Sequence, residues 1–527
     1  MPRRALPSRT CDECRARKRK CVLPPPNGGR PSSCNACREN SLRCTFDLLY
    51  KKRGPRPKPH DVLVRLPNER TVYDLGRALD AFCPKKISDF LIQNFMDHLY
   101  PLTPVVHKRT FFARLNDRTH YHNPAFFSLV ISVLVTTVCT MPGMMRSCRK
   151  LDPSFTHAGR KEMLETGERL ILRVRPSNHY DDLSLDKWAC AYLHVVANAQ
   201  LKLMNRALMH QSEAAAIARQ MELHIVDAYK GLNQVERQLR KKALWIHFMS
   251  ERHIALFDMN MDLTRTYVVQ MTRAIEQLLP LEIDDEFITD HEVLDQPPGR
   301  LSLVAGLNAM TTVNVKLMEA SPLNPAHGPR SRQSTESDSS PASQGDPHAH
   351  GNGDQQSHAL SLAEEQLTSL ERCLDDLPME ISSVSVDSRS YIPPARSDPL
   401  SSQYQAMRVN IHVTHLWAQN ALAEQMRASL ETNLHGEALR LMEQRCCKTQ
   451  ERAARQLLDL LHTLPTVNLL PNGNILTMKI RSVGASILEH ANTPRSGRST
   501  YLQDLAEAFA AFLAGLDSEH NETSPED

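Results

Sequence analysis

The chain has 527 residues, which is enough for about three to four average domains. With 41% hydrophobic and 23% charged residues, it resembles a soluble globular protein in composition, which excludes a collagen-like chain, a wholly disordered chain and a disulfide-stapled mini-protein. The net charge of +3 is unevenly distributed: residues 1–60 carry 16 Lys and Arg against 4 Asp and Glu, and the remainder carries 47 against 56. A basic head on a mildly acidic body indicates that the head binds a polyanion.

Cysteine is distributed as unevenly as charge. Six of the 13 cysteines lie between positions 11 and 44. The segment before them, residues 1–10, lacks the apolar stretch of a secretory signal, and we expect it to be a disordered arm. Because an intracellular compartment keeps thiols reduced, the cluster predicts a metal site rather than a disulfide framework.

The spacing C-x2-C-x6-C occurs twice in residues 11–44, separated by a 12-residue loop. We expect each C-x2-C turn to bring two thiolates to one ion, and a short helix in the six-residue spacer to bring the third. Zinc prefers four tetrahedral ligands, so six thiolates satisfy two Zn²⁺ ions only if two sulfurs bridge them. The repeat makes Cys11 and Cys34, the first cysteine of each unit, the natural bridging pair. The predicted ligands are Cys11, Cys14, Cys21, Cys34, Cys37 and Cys44.

The spacer of the first repeat is strongly basic, with five cations in six positions, whereas the second spacer has two cations and one acidic residue. A short basic helix on a rigid metal scaffold is suited to the major groove of DNA. We expect Lys18, in the middle of this helix, to read bases, and Arg15 and Lys20, beside the ligands, to hold the cluster and phosphates. The predicted DNA-binding residues here are Arg15, Arg17, Lys18, Arg19 and Lys20.

Residues 45–84 are predicted to form a basic linker that ends in one short helix around Leu75 and Leu79. The alternating prolines of residues 45–60 favour extended backbone. Three further cations in this linker are predicted to contact DNA, and both they and RKRK (17–20) are suited to nuclear import. These three are Lys51, Lys52 and Arg53.

The rest of the chain predicts a mostly α fold. Apolar residues at helical spacing follow one another through residues 85–320 and again through 359–515. Between them, residues 321–358 are polar and rich in proline, and we expect a disordered insert because they cannot bury enough apolar surface to offset the entropy of ordering. Residues 516–527 are expected to form a disordered tail.

One uncharged run, residues 125–145, is long enough to consider a membrane span. It contains several Ser and Thr and ends at the breaker pair Pro142-Gly143. Asn123-Pro124 predicts an N-cap followed by proline in the first turn, which gives a helix of about 16–17 residues. We therefore expect a buried core helix and no membrane partner.

No catalytic motif is present: the sequence lacks H-E-x-x-H, G-x-S-x-G, G-x-G-x-x-G and the phosphate-binding G-x-x-x-x-G-K. The acidic run Asp284, Asp285 and Glu286 is expected to be a solvated loop. Several histidines in apolar helical settings are expected to be satisfied core residues rather than ligands: His98, His107, His194 and His247. The chain is not expected to be an enzyme.

Residues 11–44 resemble the fungal binuclear zinc-cluster DNA-binding domain and match its pattern at every cysteine. The resemblance implies that the first and fourth cysteines, Cys11 and Cys34, bridge the two zincs. It also implies that the base-reading pair is Arg17 and Lys18, and that the target is double-stranded DNA with a CGG triplet, often paired.

The body resembles the all-helical regulatory domain of the same factors, on FLIQNFMDHLYPLTPVVHKRTFF (90–112), EAAAIARQMELH (213–224), LRKKALWIHF (239–248), LPLEIDDEFI (279–288) and QYQAMRVNIHVTHLW (403–417). This implies a nuclear regulator of RNA polymerase II transcription that controls a metabolic or secondary-metabolite gene set. Its further partners would be a second copy in a homodimer and the transcription machinery or co-regulators. The alternative is a zinc-dependent nuclear adaptor that binds protein rather than specific DNA.

Overall fold

The computed structural model describes residues 10–24, 33–46, 74–141, 143–256, 274–320, 351–382, 399–430, 434–463, 469–491 and 500–522. The chain divides into two compact units, Met1–Val72 and Tyr73–Asp527. Within the described residues the regular structure is helical, and β-pairing is limited to one isolated antiparallel bridge between Ile288 and Val293. The mostly α fold class is therefore confirmed.

The first unit contains two short helices, α1 (Asp12–Ala16) and α2 (Asn35–Glu39). The first half of the second unit is built from eight helices in its described part. These are α3 (Leu75–Phe82), α4 (Lys85–Asn94, continued by a π-helical turn over Phe95–Leu99), α5 (Lys108–Asn116), α6 (Pro124–Thr140), α7 (Met144–Leu151), α8 (Arg160–Val174), α9 (Leu185–Gln200) and α10 (Met204–Gln220).

The second half of this unit continues in the same way. Its helices are α11 (Gln234–Leu256), α12 (Ile275–Leu278), α13 (Val304–Ala320), α14 (Gly351–Arg372), α15 (Pro399–Leu430), α16 (Gly436–Thr463), α17 (Gly473–Ala491) and α18 (Thr500–Glu522). Short 3₁₀ turns lie at Thr119–Tyr121, Val226–Tyr229, Asp285–Phe287 and Leu470–Asn472.

Helix α6 lies at the centre of the first half. The Asn123 side chain accepts a hydrogen bond from the backbone N–H of Phe126 at 3.0 Å, and Pro124 occupies the first turn, where its missing N–H costs nothing. Every residue from Phe126 to Thr140 is buried, and α6 packs against α4, α8 and α9. The predicted core helix is therefore confirmed, with its predicted start.

None of the described helices is long and apolar enough to cross a bilayer by itself. By length and composition, α6 and α7 meet this requirement together, but only as a pair bent by 116°.

One glycine lets two core helices approach closely. A Cβ added at Gly167 on α8 would lie 2.9 Å from Cγ2 of Val135 on α6, which is closer than packed carbon atoms come. A larger residue at this position would force α6 and α8 apart.

Three boundaries differ from the sequence-based expectation. Helix α3 does not belong to a linker, because Leu75, Leu79 and Phe82 are buried in the core of the second unit. The expected disorder is wrong for residues 351–358 and 516–522, because α14 begins at Gly351 and α18 continues to Glu522. Extending an existing helix costs much less than nucleating one, so polar residues continue a helix anchored elsewhere. Residues 1–9, 47–73, 321–350 and 523–527 lie outside the described part.

The acidic run is not a solvated loop, which corrects the expectation for Asp284 and Asp285. Asp284 is buried, and its Oδ1 accepts a hydrogen bond from the backbone N–H of Leu303 at 2.9 Å, just before α13 begins. Glu286 is exposed, as expected, and its Oε2 lies 3.2 Å from Nη1 of Arg300.

Asp285 is also buried, and a buried lysine explains why. Its Oδ1 lies 2.6 Å from Lys242 Nζ on α11, and its Oδ2 accepts hydrogen bonds from Tyr100 Oη at 2.5 Å and from the backbone N–H of Lys108 at 2.7 Å. Burial raises the pKa of Asp285, but the charges of Lys242 and His107 outweigh it and hold the pKa below its usual value. Three of the sequence segments quoted above therefore meet at one carboxylate.

Three of the four histidines predicted to be satisfied core residues are buried, but none of these three has both ring nitrogens hydrogen-bonded. His107, His194 and His247 are buried, whereas His98 is half-buried. Each buried ring uses one nitrogen, as in the 3.0 Å contact of His194 Nδ1 with Cys190 O, while its other nitrogen has no hydrogen-bond partner.

Candidate metal centre and nucleic-acid interface

Each C-x2-C pair forms the first turn of a helix. Cys11 is the N-cap of α1, and its Sγ accepts a hydrogen bond from the backbone N–H of Cys14 at 3.4 Å. Cys34 caps α2 in the same way, through the N–H of Cys37, also at 3.4 Å. The helix of the first repeat thus covers C-x2-C and ends at Ala16, which corrects the prediction that a helix fills the six-residue spacer.

The chain leaves α1 through a left-handed turn. Lys18 has φ of +53°, and its N–H donates to Arg15 O at 3.3 Å. The N–H of Arg19 donates to Cys14 O at 2.9 Å. This pair of bonds is the Schellman motif, whose left-handed position usually carries glycine or asparagine. Lys18 therefore lies beyond the helix end, and its predicted place in the middle of a helix is wrong.

The second half repeats this geometry around residues of different charge. Ser41 has φ of +53°, and the N–H of Leu42 donates to Cys37 O at 2.9 Å. The two halves are also joined by matching backbone bonds, from Asp12 N–H to Thr45 O at 2.8 Å and from Asn35 N–H to Val22 O at 3.0 Å. The sequence repeat is therefore an approximate structural twofold.

The third cysteine of each repeat turns back toward the first. Cys21 Sγ accepts a hydrogen bond from the Cys11 N–H at 3.5 Å, and Cys44 Sγ accepts one from the Cys34 N–H at 3.3 Å. All six cysteines are thereby collected at one place, and none of them forms a disulfide.

The six sulfurs divide into two groups of four that could each hold an ion, with the ligand atoms of each group within 4.8 Å of one another. Cys11 and Cys34 belong to both groups. The remaining members are Cys14 and Cys21 in one group, and Cys37 and Cys44 in the other.

The donor set fits zinc. A tetrahedral site with Zn–S bonds of about 2.3 Å has sulfur–sulfur edges of roughly 3.8 Å. The Sγ atom of Cys11 lies 3.7 Å from that of Cys34 and 3.6 Å from that of Cys37, and Cys14 Sγ lies 3.6 Å from Cys34 Sγ. Thiolate sulfur is also a ligand type that selects zinc.

The two shared thiols differ from the others in acidity. Burial raises the pKa of Cys34, but hydrogen bonds from the Cys37 backbone and from neighbouring thiols outweigh it and lower the pKa to about 6. The pKa of Cys11 is lowered in the same way, through Cys14. Burial, with the neighbouring thiols, raises the pKa of Cys14 to about 12. Zinc binds thiolates, so metal binding releases the protons that the thiols still carry.

The five cations of the first spacer form an exposed basic surface. Each of Arg15, Arg17, Lys18, Arg19 and Lys20 is exposed. Arg17 is also paired with Glu13, with 3.2 Å between Nε and Oε2 across one helical turn. The i, i+4 spacing of Glu13 and Arg17 signals this pair, which was not among the sequence-based predictions. Lys51, Lys52 and Arg53 lie outside the described residues.

The N-terminal segment also matches a known family. Residues 9–53 fit the model of the fungal Zn(2)-Cys(6) binuclear cluster domain. This segment is such a domain. It binds two Zn²⁺ ions, as the predicted cofactor requires.

The chain is similar to known transcription regulators. It is 23% identical over 265 residues to the maltose fermentation regulatory protein MAL13 of Saccharomyces cerevisiae, covering 47% of this chain and 50% of that protein. It is also 23% identical over 255 residues to the maltose fermentation regulatory protein MAL33 of the same yeast, again covering 47% of this chain and 50% of that protein. The match thus spans about half the length of these relatives.

A shorter match lies in a different regulator. The chain is 45% identical over 53 residues to the glucose transport transcription regulator RGT1 of Eremothecium gossypii, covering 10% of this chain and 6% of that protein. No solved structure matches the chain.

Proposed function

We propose that the chain is a sequence-specific regulator of RNA polymerase II transcription that acts in the nucleus and recognises DNA sites containing CGG. In this proposal Cys11, Cys14, Cys21 and Cys34 hold one zinc, and Cys11, Cys34, Cys37 and Cys44 hold the other. The observation that carries the proposal is a pair of four-sulfur groups that share Cys11 and Cys34, with an exposed basic turn directly beside them.

The asymmetry of the cluster supports a DNA contact through the first half. The two halves have the same backbone, but the left-handed position is Lys18 in one and Ser41 in the other. A lysine held in this conformation by two backbone hydrogen bonds points from a rigid turn, so little backbone entropy is lost when it contacts a base. Lys18, together with Arg17, is proposed to read the bases, whereas Arg15, Arg19 and Lys20 bind phosphates.

The linker cations Lys51, Lys52 and Arg53 are proposed to add phosphate contacts and to support nuclear import. Because CGG triplets of this family are often paired, the proposed binding unit on a paired site is a homodimer. Regulation of transcription also requires contact with the transcription machinery or with co-regulators, which we assign to the helical unit.

The names of the relatives favour a metabolic gene set. They are described as regulators of maltose fermentation and of glucose transport. We therefore propose that the genes controlled by this chain serve carbon metabolism, rather than secondary metabolism.

A selected-site gel shift with the full-length protein tests DNA reading. Random duplexes are enriched on the protein, and the selected sites are then compared with scrambled duplexes. We expect CGG to be enriched and to bind at least about 10³-fold more tightly than the scrambled duplex, as specific regulators do. Weak binding without sequence preference would instead indicate the adaptor that contacts protein.

A pair of variants makes the test specific to the first spacer. The double variant Arg17→Ala, Lys18→Gly should lose the preference for CGG. Arg43→Ala serves as the matched control, because Arg43 is an exposed cation in the second spacer of the same cluster. Equal losses in both proteins would show that the two spacers act only as a general source of charge.

A further inference from the structure

The helical unit contains a cavity of about 170 Å³, lined by helices from both the first and the second half of the unit. Its walls come from the π-helical turn after α4 and from α6, α9, α10, α11, α13, α15 and α17. The lining is mostly apolar and includes Phe95, Leu193, Ile246, Met310 and Met407. Half-exposed residues of α10 also line it, which gives the cavity a route to the surface.

A buried lysine lines this apolar cavity. Lys479 on α17 is only 1% exposed, and its Nζ donates a hydrogen bond to the hydroxyl oxygen Oγ1 of Thr414 on α15 at 2.6 Å. Its Nζ also lies 5.6 Å from the centre of the Trp417 ring. Within the described residues no carboxylate forms an ion pair with it.

The other fully buried lysine of the described chain, Lys242, has the carboxylate partner that Lys479 lacks. Lys242 is also 1% exposed, but its Nζ lies 2.6 Å from a carboxylate oxygen of Asp285. A buried ammonium group normally has such a partner, because desolvating an isolated charge is costly. Lys479 has only a hydroxyl and an aromatic ring in this place.

A second polar group faces the same region. His253 on α11 lines the cavity, and its ring lies 5.7 Å from that of Trp417. The ring nitrogen Nε2 is shielded from solvent and has no hydrogen-bond partner. Burial and the charge of Lys479 lower the pKa of His253 well below its usual value, so that the ring is neutral and can donate one hydrogen bond.

We propose that this cavity binds a small organic monoanion, with its carboxylate at Lys479 and His253 and its apolar body against the Phe, Leu, Ile and Met side chains. A carboxylate supplies the counter-charge that Lys479 lacks and can accept a hydrogen bond from His253. A cation would be repelled, and a wholly apolar ligand would leave the ammonium group without a partner.

The size of the cavity limits the ligand. An apolar cavity of about 150 Å³ in another protein accommodates benzene. The present cavity is slightly larger, which suits a carboxylate with one aromatic ring or a short aliphatic chain. Binding does not depend on the proposed function; only the use of the ligand as an effector of transcription would rest on it.

Calorimetric titration of the full-length protein without DNA tests this site at pH 6, where Lys479 carries its charge because burial lowers its pKa to about 7 and no further. The probes are phenylacetate, the straight-chain carboxylates from butanoate to decanoate, and the neutral amide of each. We expect at least one carboxylate to bind about tenfold or more tightly than its amide, a difference of about 1.4 kcal/mol, because only the carboxylate forms a charge-assisted hydrogen bond with Lys479. Equal binding of acid and amide, or no binding by any carboxylate at millimolar concentration, would overturn the proposal.

Two variants assign the effect to the lysine. In Lys479→Met the side-chain volume is nearly kept and the charge is removed, so the preference for carboxylate over amide should disappear while the amide still binds. Lys316→Met on α13 is the control, since Lys316 is about 40% exposed and does not line the cavity. A preference that survives in Lys479→Met, or that is lost in Lys316→Met as well, would contradict the assignment.

The melting temperature of Lys479→Met without ligand gives a second test, which can be measured even if the variant is unstable. Without ligand, Lys479→Met should melt at a higher temperature than the wild type, because an unpaired buried charge has been removed. A lower melting temperature would instead assign Lys479 a structural role through Thr414 and contradict the proposed site.

Discussion

In residues 10–24 and 33–46 of the first unit, the buried core consists of four cysteines, with Cys21, Cys44, Ala36 and Leu42 packed around them. The helical unit instead buries a large set of apolar side chains from nearly every described helix. Four small thiols bury little apolar surface, so we expect the described part of the first unit to obtain most of its stability from metal–ligand bonds. The contrast implies that the two units respond to different perturbations.

Removal of zinc should give the largest effect and should affect only the first unit. Apparent zinc-binding free energies of small structural sites are about 10–16 kcal/mol, and here they replace the missing core. We expect two zincs per chain by elemental analysis. After chelation, residues 10–24 and 33–46 should lose hydrogen-exchange protection while the melting temperature of the helical unit stays the same.

Two results would contradict the expected effect of zinc removal. One zinc per chain would contradict the sharing of Cys11 and Cys34. A fall in the melting temperature of the helical unit after chelation would mean that its stability also depends on the metal.

Single cysteine variants should separate bridging ligands from terminal ones. In the proposed metal centre Cys11 belongs to both four-sulfur groups and Cys14 to one, so Cys11→Ala would deprive both ions of a ligand and Cys14→Ala only one. We therefore expect Cys11→Ala to lose both zincs and Cys14→Ala to keep about one, measured as zinc content after dialysis.

The control for these variants is a cysteine from the other unit. Cys139 on α6 is a buried thiol in the apolar core, so Cys139→Ala should keep both zincs and lose only a little stability. If Cys11→Ala and Cys14→Ala retain equal amounts of zinc, Cys11 is not a bridge.

Within the helical unit, the two buried lysines should respond oppositely to the same substitution. Lys242→Met leaves Asp285 buried without its partner, so we expect a loss of about 3–5 kcal/mol in the free energy of unfolding. Lys479→Met removes a buried charge and should stabilise the fold. Chemical denaturation of both variants measures the difference.

The stability gain of Lys479→Met should depend on pH. Burial lowers the pKa of Lys479 to about 7, far below the value of about 10.4 in an unfolded chain. Between these values the unfolded state binds more protons, so the contribution of Lys479 to stability rises with pH. The gain from Lys479→Met should therefore be largest at and below pH 7 and shrink toward pH 10; a constant gain would mean that Lys479 does not titrate there.

The sequence predicted best those features that depend on stoichiometry or periodicity. Six thiolates and two tetrahedral ions imply two shared sulfurs, and the structure places Cys11 and Cys34 in both groups. Asn123-Pro124 marked the start of α6 because cap chemistry is local. The first feature follows from counting ligands over residues 11–44, and the second follows from neighbouring residues.

Features that depend on distant partners could not be predicted. Asp285 and Lys242 are 43 positions apart, and only the fold brings them together. Lys479 lies at helical spacing from the buried residues Leu476 and Val483, which indicates that it shares their face, but its contacts with Thr414 and Trp417 depend on the fold. The helix α1, which was predicted in the wrong place, does have a local signal. Asp12 and Glu13 are acidic residues suited to a first helical turn after Cys11.

The smallest effects should come from the two left-handed positions of the cluster. At Lys18 and Ser41 a residue other than glycine costs about 1–2 kcal/mol, and glycine relieves this strain. Lys18→Gly should therefore leave the cluster folded and zinc-bound, and Ser41→Gly makes the same backbone change in the other half. Alanine would keep the strain and is the weaker test.

The two glycine variants should differ in DNA binding alone. If Lys18 reads a base, Lys18→Gly should cost about 1–3 kcal/mol on a CGG duplex and much less on a scrambled duplex. Ser41→Gly should change neither affinity. A salt titration adds a second criterion, because loss of a phosphate contact lowers the dependence of log K on log salt by about one unit, whereas loss of a base contact does not. If Lys18→Gly weakens both duplexes equally and lowers the salt slope, Lys18 binds phosphate, and base reading in the first half must be assigned to Arg17.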